Sequence, residues 1–282
     1  MGYQQKFRLD GEVAVVTGGG RAIGLACAEA LAEAGARIVV IERSEADAAE
    51  TLALRARGHD IALRTGSVTD SARMEAIAAE LAAEGSPATI LVNNAGIGQS
   101  GIPSEAVTDE DWLRMMDVNV NGVFWCSRAF GRHMIAAGGG AIVNLGSMSG
   151  IIANRPQPQT PYNVSKAAVH HITRSMAAEW AQHGIRINAV APTYIETPMV
   201  SQIEANRDRI PLWLADTPMG RMGRPEEVAS AALLQKSAVD RMCPFPRLIS
   251  RHALDLGRAE RIEVVHERNA DLHLGCLTVR IA

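Results

Sequence analysis

The sequence predicts a single α/β domain, and three observations support that class. Short apolar runs rich in valine and isoleucine alternate with longer alanine-rich segments of helical periodicity. A glycine-rich stretch, TGGGRAIG, joins the first apolar run to the first helical segment. The chain has 282 residues and 47% apolar content, which fits one large core better than two domains. We therefore expect a layered sheet with helices on its faces.

Composition excludes several kinds of partner. A formal net charge of -3 and a pI near 6.3 give no basic field for nucleic acid or anionic lipid, so we expect a small-molecule partner. The four cysteines have neither metal-like nor disulfide-like spacing, and we expect no metal site. The amino-terminal segment lacks the layout of a signal peptide, and no apolar run reaches the roughly 18 residues that span a bilayer. A cytoplasmic location is expected.

The first predicted unit is a strand at 12 to 17, the glycine-rich turn, and a helix at 23 to 34. Such a turn leaves backbone N–H groups facing outward at the positive end of the helix dipole, where they attract a pyrophosphate. Gly18 and Gly24 would let the backbone approach that group. The unit therefore predicts a nucleotide-binding turn.

The second predicted strand, at 37 to 43, ends in a carboxylate. Glu42 lies about twenty residues beyond the glycines, where an acidic side chain accepts hydrogen bonds from ribose hydroxyls and repels a 2′-phosphate. This favours NAD over NADP. Arg21 and Arg43 could each pair with a 2′-phosphate, so NADP stays open as the alternative.

Tyr162 and Lys166 stand four residues apart in YNVSK, which places them on one face of a helix. A cation within about 4 to 6 Å is expected to lower the pKa of the phenol, so that Tyr162 exchanges a proton with a substrate hydroxyl. Ser147 follows a predicted strand at 141 to 145, and its hydroxyl can hold the same substrate oxygen. Proton transfer and oxygen positioning are both provided.

Two further segments bear on this site. Helical periodicity covers 108 to 137, with Thr108 and Asp109 as candidate caps and Asn119 in its middle. The proline-rich segment from 150 to 161 is predicted to be a loop beside Ser147. Its polar side chains suit the several hydroxyls of a sugar alcohol: Ser149, Asn154 and Gln157.

The order of these motifs resembles the short-chain dehydrogenase/reductase superfamily. The glycine-rich turn, NNAG at 93 to 96, VNVNG at 118 to 122, a serine and YNVSK follow one another in register, over about residues 9 to 234. Within the family, NLGSMSG and NRPQPQTPYNVSKAAVH look most like bacterial polyol dehydrogenases of the galactitol type. The resemblance implies a Rossmann-like, doubly wound parallel sheet flanked by helices, and a homo-oligomer, either a tetramer or a dimer. It also implies reversible NAD-dependent oxidation of a polyol to a ketose.

The resemblance also implies roles for particular residues. Asn119 would distort its helix, so that its carbonyl holds a water linked to the active-site lysine. Residues after the strand at 186 to 190 would bind the nicotinamide. The implied catalytic residues are Asn119, Ser147, Tyr162 and Lys166, and the implied substrate contacts are Ser147, Ser149, Asn154 and Tyr162. The implied cofactor contacts are Gly18, Arg21, Ile23, Gly24, Glu42, Ser67, Val68, Asn94, Gly96, Tyr162, Lys166, Pro192, Ile195 and Thr197.

Three positions depart from the family pattern. Ser67, followed by Val68, replaces the aspartate that normally holds the adenine amino group, so a weaker adenine contact is expected. Ala22 replaces the middle glycine and is tolerable only if its φ stays negative. Thr193 replaces the glycine after Pro192 and would be strained by about 1 to 3 kcal/mol if that position needs positive φ.

The resemblance stops near residue 235. We expect residues 1–235 to form one domain holding cofactor and substrate, and 236–282 to be a divergent carboxyl-terminal tail without the family's final strand. The closing HLGCLTVRI alternates like a strand and could replace it at the sheet edge. Two other functions stay open: an NADPH-dependent ketoreductase of another carbonyl substrate, and a nucleotide-binding protein whose catalysis is impaired by the tail.

Overall fold

A computed structural model describes residues 4–201, 206–237 and 278–281 of the chain. The described residues form one parallel sheet of seven strands, and the doubly wound α/β class is confirmed. The strands are β1 (Val13–Thr17), β2 (Arg37–Glu42), β3 (Ile61–Thr65), β4 (Ile90–Asn93), β5 (Gly140–Leu145), β6 (Ile185–Pro192) and β7 (Thr278–Ile281). They lie in the order β3-β2-β1-β4-β5-β6-β7.

Nine α-helices occur in the described part of the chain, and the longer ones cover the sheet. They are α1 (Ala22–Glu33), α2 (Ala49–Leu52), α3 (Ser71–Ala83), α4 (Asp109–Met116), α5 (Gly122–Ala137), α6 (Thr160–Trp180), α7 (Pro198–Ser201), α8 (Ile210–Ala215) and α9 (Pro225–Ser237). A π-helical turn, Asp117–Asn121, joins α4 to α5. No helix among these is long and apolar enough to cross a membrane.

The strands are apolar on both sides because helices cover both faces of the sheet. In β1, Ala14 and Val16 belong to a core shared with α1 and α9. Val13 and Val15 point to the opposite face, into a core shared with α3, α5 and α6. This alternation explains why the strand sequences read as continuous apolar runs and why the core is divided by the sheet.

The strand order reverses between β1 and β4. Chain connections after these two strands run to opposite sides, which leaves a crevice at their carboxyl ends. In open parallel sheets this switch point is where ligands bind. The glycine-rich turn after β1 and the NNAG segment after β4 meet there.

The backbone at Ala22 differs from expectation. Its φ is +47°, so the requirement for a negative angle is not met, and among the described residues it is the one non-glycine with positive φ. The left-handed region costs an L-residue roughly 1 to 2 kcal/mol because Cβ crowds the following carbonyl. Thr193 has no positive φ, so the strain considered for it is absent.

Thr278–Ile281 of the tail pairs in parallel with β6, with Ala189 opposite Thr278 and Pro192 opposite Ile281. The rest of the tail from 238 to 277 lies outside the described residues. The division of the chain at residue 235 therefore stays a prediction.

Replacing Ala22 by glycine should stabilise the protein. Relief of about 1 to 2 kcal/mol of backbone strain exceeds the roughly 0.4 to 1 kcal/mol of added unfolded-chain entropy. We expect the free energy of unfolding from urea titration to rise by about 0.5 to 1 kcal/mol. Ala30→Gly, in the same helix at ordinary geometry, is the control and should lower it by about 1 kcal/mol. Equal losses in both variants would contradict a strained Ala22.

Candidate active site

The residues singled out from the sequence lie at one edge of the sheet, because parallel strands place all their carboxyl ends together. Each strand from β1 to β6 is followed by one part of the site. These parts are the glycine turn after β1, Glu42 at the end of β2, Ser67 and Val68 after β3, Asn94 and Gly96 after β4, Ser147 after β5, and Pro192, Ile195 and Thr197 at and after the end of β6.

The glycine turn is tied to the loop after β4. Asn94 donates its amide to the carbonyls of Gly18 at 2.7 Å and Thr17 at 3.2 Å. Gly18 has a φ of +63°, and a Cβ there would lie 2.8 Å from the Cα of Ala95. A Cβ on Gly24 would overlap the Gly18 carbonyl. Only glycine therefore fits at positions 18 and 24 of this turn.

The end of β2 carries its acidic group against this turn. Glu42 Oε1 accepts a hydrogen bond from the Gly20 amide at 2.9 Å. Arg43 is 73% exposed and pairs with Asp47 at 3.9 Å, and Arg21 is exposed. The carboxylate is thus fixed in the crevice while both arginines lie at the surface.

The adenine-side pair is placed after β3, as its position predicts. The Ser67 hydroxyl lies 2.7 Å from the Thr69 hydroxyl and accepts the Thr69 amide at 3.2 Å. Val68 packs against α5, where a Cβ on Gly122 would lie 2.8 Å from its Cγ2. Ser67 is thus held by its own turn.

Asn119 lies in the π-helical turn, so the expected distortion of this helix is present. Its side chain is buried and forms a reciprocal pair with the backbone of Ile97, accepting the amide at 2.8 Å and donating to the carbonyl at 2.9 Å. It also donates to the Ser165 hydroxyl at 3.1 Å. A Cβ on Gly96 would lie 3.3 Å from Asn119 Oδ1 and 3.7 Å from Lys166 Nζ. Asn119 therefore clamps the loop after β4 beside the lysine.

Ser147, Tyr162 and Lys166 come together between β5 and α6. The Ser147 side chain interacts with the Tyr162 hydroxyl and acts to lower the pKa of the phenol. Lys166 is buried, donates to the Leu145 carbonyl at 2.8 Å, and has its Nζ 5.7 Å from the centre of the Tyr162 ring. The hydroxyls that would hold and deprotonate a substrate alcohol are thus adjacent.

The electrostatics of this group differ from the sequence expectation in one respect. Burial raises the pKa of Tyr162 above its ordinary value, although the hydrogen bond with Ser147 acts in the opposite direction. The expected lowering by Lys166 is not found. The reason is that burial also disfavours the ammonium and lowers the pKa of Lys166 to about 8.

A polar cluster extends from Ser149 over the proposed substrate side. Gln159 donates to Asn154 at 2.7 Å and to the Ser149 hydroxyl at 3.2 Å. Asn154 in turn donates to the Tyr194 hydroxyl at 3.3 Å. Sequence reasoning missed Gln159 and Tyr194. The signal for Tyr194 was its place in APTYIETPM, directly after a site strand.

Trp213 holds α8 against the polar cluster around Asn154 and Tyr194. Its indole N–H donates to Gln157 Oε1 at 3.0 Å, and its ring stacks on Tyr194 with centroids 4.2 Å apart. Trp213 is 4% exposed. The segment from 198 to 222, which contains α7 and α8, is therefore attached to the proline-rich loop through the buried Trp213 side chain. Residues 202 to 205 of that segment lie outside the described residues.

Other chemistries have little support in the described residues. No group of three metal-ligating side chains occurs there. Cys27 and Cys126 are buried, and burial raises the pKa of each thiol to about 12, which leaves them poor nucleophiles.

A nucleotide-binding turn at the switch point, with a buried serine and lysine and a partly buried tyrosine beside it, defines a nicotinamide-dependent oxidoreductase of CH–OH groups. A family model described as enoyl-(acyl carrier protein) reductase matches residues 18–239. The chain belongs to the short-chain dehydrogenase/reductase family.

Two curated relatives and one solved structure illustrate the likeness. Galactitol 2-dehydrogenase of Rhizobium johnstonii is 79% identical over 84% of this chain and 92% of its own. The L-tagatose-forming galactitol 2-dehydrogenase of Cereibacter sphaeroides is 49% identical over the same shares, 84% and 92%. The crystal structure of a Burkholderia cenocepacia gluconate 5-dehydrogenase with NADP and tartrate has a TM-score of 0.78 at 40% identity, covering 85% of this chain and 93% of that one.

The pKa of Lys166 predicts a pH dependence of stability. The folded value of about 8 lies below the ordinary 10.5, so between these values the unfolded chain binds more protons and stability rises with pH. Relative to Lys166→Met, the free energy of unfolding of the natural protein should rise by up to about 3 kcal/mol across this window. Urea titrations at several pH values measure it. Parallel curves for the two proteins would show that the lysine is not shifted.

Proposed function

We propose that this protein oxidises a secondary alcohol of a sugar alcohol to a ketose, reversibly, with NAD⁺. The observation that carries the proposal is the placing of Ser147 and Tyr162 beside the buried Lys166, whose Nζ lies 5.7 Å from the Tyr162 ring centre, next to the neutral polar cluster. The 79% identity to a galactitol 2-dehydrogenase supports galactitol as the first substrate to test.

In this mechanism Ser147 and Tyr162 share the substrate oxygen. Ser147 holds it by a hydrogen bond, and Tyr162 removes the hydroxyl proton. A bound oxidised dinucleotide would supply the hydride acceptor, a nicotinamide ring that is positively charged before the transfer. Lys166 lies between the Leu145 carbonyl and the tyrosine ring, from which it can bind the nicotinamide ribose and influence the phenol. Asn119 holds the loop after β4 against them.

The residues around the crevice fit a dinucleotide. Gly18 and Gly24 let the turn pack closely against itself and the loop after β4, where any Cβ would collide with Ala95 or with the Gly18 carbonyl. This close packing forms a turn at the start of α1, where backbone N–H groups can bind a pyrophosphate. Arg21, Ile23, Ser67, Val68, Asn94 and Gly96 are proposed to line the adenosine side, and Pro192, Ile195 and Thr197 the nicotinamide side.

The substrate side favours a molecule with several neutral hydroxyls. Ser149, Asn154, Gln157 and Tyr194 offer both donors and acceptors, and none of them is charged. Amide and hydroxyl groups of this kind pair with vicinal hydroxyls without requiring a counter-charge. A ketoreductase of another carbonyl substrate is the second candidate, and the neutral polar cluster argues for the first.

NAD is proposed over NADP because of Glu42. Its carboxylate is fixed against Gly20, where a 2′-phosphate would meet a negative charge at short range. Arg43 is 73% exposed and pairs with Asp47 at 3.9 Å, so a 2′-phosphate would have to compete with that carboxylate for it.

We also propose that the protein forms a homo-oligomer and that it is located in the cytoplasm. An apolar groove between α5 and α6 is lined by Phe124, Ile172, Met176 and Trp180, and Phe124 is 40% exposed. Exposed apolar surface of this kind is typical of subunit contacts.

Turnover tests the function directly. The purified protein should reduce NAD⁺ with galactitol or another four- to six-carbon sugar alcohol, followed by absorbance of the reduced nicotinamide. Tyr162→Phe should lower turnover by at least about 10²-fold because the proton acceptor is lost, with dinucleotide affinity retained by calorimetric titration. Retained turnover in Tyr162→Phe would remove the proposed mechanism. Silence of the folded, dinucleotide-binding natural protein on all sugar alcohols would remove the substrate class.

Glu42→Gln tests the choice of cofactor. Glutamine keeps the acceptor for the Gly20 amide but removes the charge, so repulsion of a 2′-phosphate is lost without disturbing the turn. We expect the ratio of dissociation constants to shift toward NADP⁺ by about 10-fold or more. Arg43→Gln is the control and should leave the ratio within about twofold, because Arg43 is a surface partner of Asp47. An unchanged ratio in Glu42→Gln would exclude Glu42 as the selector.

A further inference from the structure

His170 follows Lys166 by one turn of α6. Tyr162, Lys166 and His170 therefore recur at four-residue spacing along one face of the helix. His170 and His171 are adjacent in the sequence, and a helix turns successive residues to different sides. The structure separates them: His170 is 5% exposed, whereas His171 lies on the exposed side of the helix.

The His170 ring contacts the backbone that carries Ser147. Its Nε2 lies 2.9 Å from the Ser147 carbonyl oxygen. A carbonyl oxygen only accepts, so Nε2 bears the hydrogen and donates. The same oxygen accepts the Gly150 amide at 3.0 Å.

The loop after β5 closes directly on this imidazole. A Cβ on Gly146 would lie 2.5 Å from the ring's Cε1, and a Cβ on Gly150 would lie 2.6 Å from its Cδ2. No side chain could stand between the loop and the ring at either point. The two glycines that flank the serine turn are therefore packed around His170.

The conformation of this turn sets the position of the Ser147 hydroxyl. Ser147 caps the short 3-10 turn Met148–Gly150, and its Oγ accepts the Ser149 amide at 3.1 Å. Helix α6 thus holds the serine segment at three successive points: Lys166 on the Leu145 carbonyl, Tyr162 on the Ser147 hydroxyl, and His170 on the Ser147 carbonyl. Of these three contacts, only the one from His170 uses neither the Ser147 hydroxyl nor the Lys166 ammonium. It therefore leaves both groups free for substrate and cofactor.

We propose that His170 is a positioning residue, which fixes Ser147 for the substrate oxygen by holding its carbonyl and its turn. The proposal rests on the proposed function of Ser147. Its physical basis is that a reacting group displaced by about 1 Å costs up to about 10²-fold in rate. Because His170 acts through the backbone carbonyl of Ser147, its effect should fall on kcat and not on cofactor affinity.

Two substitutions of His170 separate the hydrogen bond from the bulk of the ring. His170→Leu keeps an apolar side chain but has no donor, and we expect kcat to fall by about 10- to 100-fold with the NAD⁺ dissociation constant unchanged. His170→Gln restores an N–H donor and should recover part of the loss. In a Ser147→Ala background, His170→Leu should cause no further loss, because the group it positions is gone. His183→Leu, beyond the carboxyl end of α6, is the matched control and should retain full activity.

Hydrogen exchange gives a readout that does not depend on turnover. In His170→Leu the amides of Ser149 and Gly150 should exchange faster, whereas the amides of α6 should exchange at unchanged rates. This readout distinguishes the two proposals. If the natural protein is inactive on sugar alcohols but His170→Leu still shows faster exchange at the serine turn, the proposed substrate class is wrong and the positioning role remains. Full activity of His170→Leu, losses that add to those of Ser147→Ala, or unchanged exchange at the serine turn would each overturn the positioning role. If His170→Leu fails to fold, His170→Phe, which keeps a flat ring but has no donor, takes its place, and full activity with unchanged exchange at Ser149 and Gly150 would overturn the positioning role in the same way.

Discussion

The parallel pairing of β1 with β4 is the constraint on which the rest of the site depends. Because both strands point the same way and their connections diverge, the turn after β1 and the loop after β4 meet at one crevice. The Asn94 amide fastens these two segments, and Asn119 fastens the next part of the same loop to the π-helical turn. A buried amide with both ends paired specifies one loop position, since any shift leaves polar groups unpaired. The cofactor crevice is thus built by backbone geometry and locked by two asparagines.

The far edge of the sheet bears on the same site through β6. An uncovered strand edge presents unpaired N–H and C=O groups, and Thr278–Ile281 pairs with this edge of β6 from Ala189 to Pro192. The segment that follows β6 carries Ile195, which pairs with Gly223 across to the region before α9. Stabilising β6 therefore stabilises the backbone on the proposed nicotinamide side. This connects the divergent tail to the site without requiring any of its side chains to reach the pocket.

Much of this arrangement could be predicted because it follows from residue type and spacing. Apolar runs gave the strands, and YNVSK gave the tyrosine and lysine on one face of α6. The sign of φ at Ala22 could not be predicted, because alanine has no intrinsic preference for the left-handed region and the surrounding turn imposes it. His170, Gln159 and the Trp213 contact with Gln157 were also missed or unassigned. The contacts of His170 and Trp213 join residues far apart in the sequence, and those of Gln159 depend on how the proline-rich loop folds back on itself, which no local pattern encodes.

The acid–base properties of the site follow from a single cause, which is burial. Burial opposes charge on both partners, so it raises the pKa of Tyr162 and lowers that of Lys166 to about 8. The two groups are neighbours, with Lys166 Nζ 5.7 Å from the centre of the Tyr162 ring, so burial acts on both at once. In this pair burial therefore opposes the combination of a phenolate and an ammonium. In the proposed mechanism, the positive ring of a bound oxidised dinucleotide would favour the phenolate and so counteract the effect of burial.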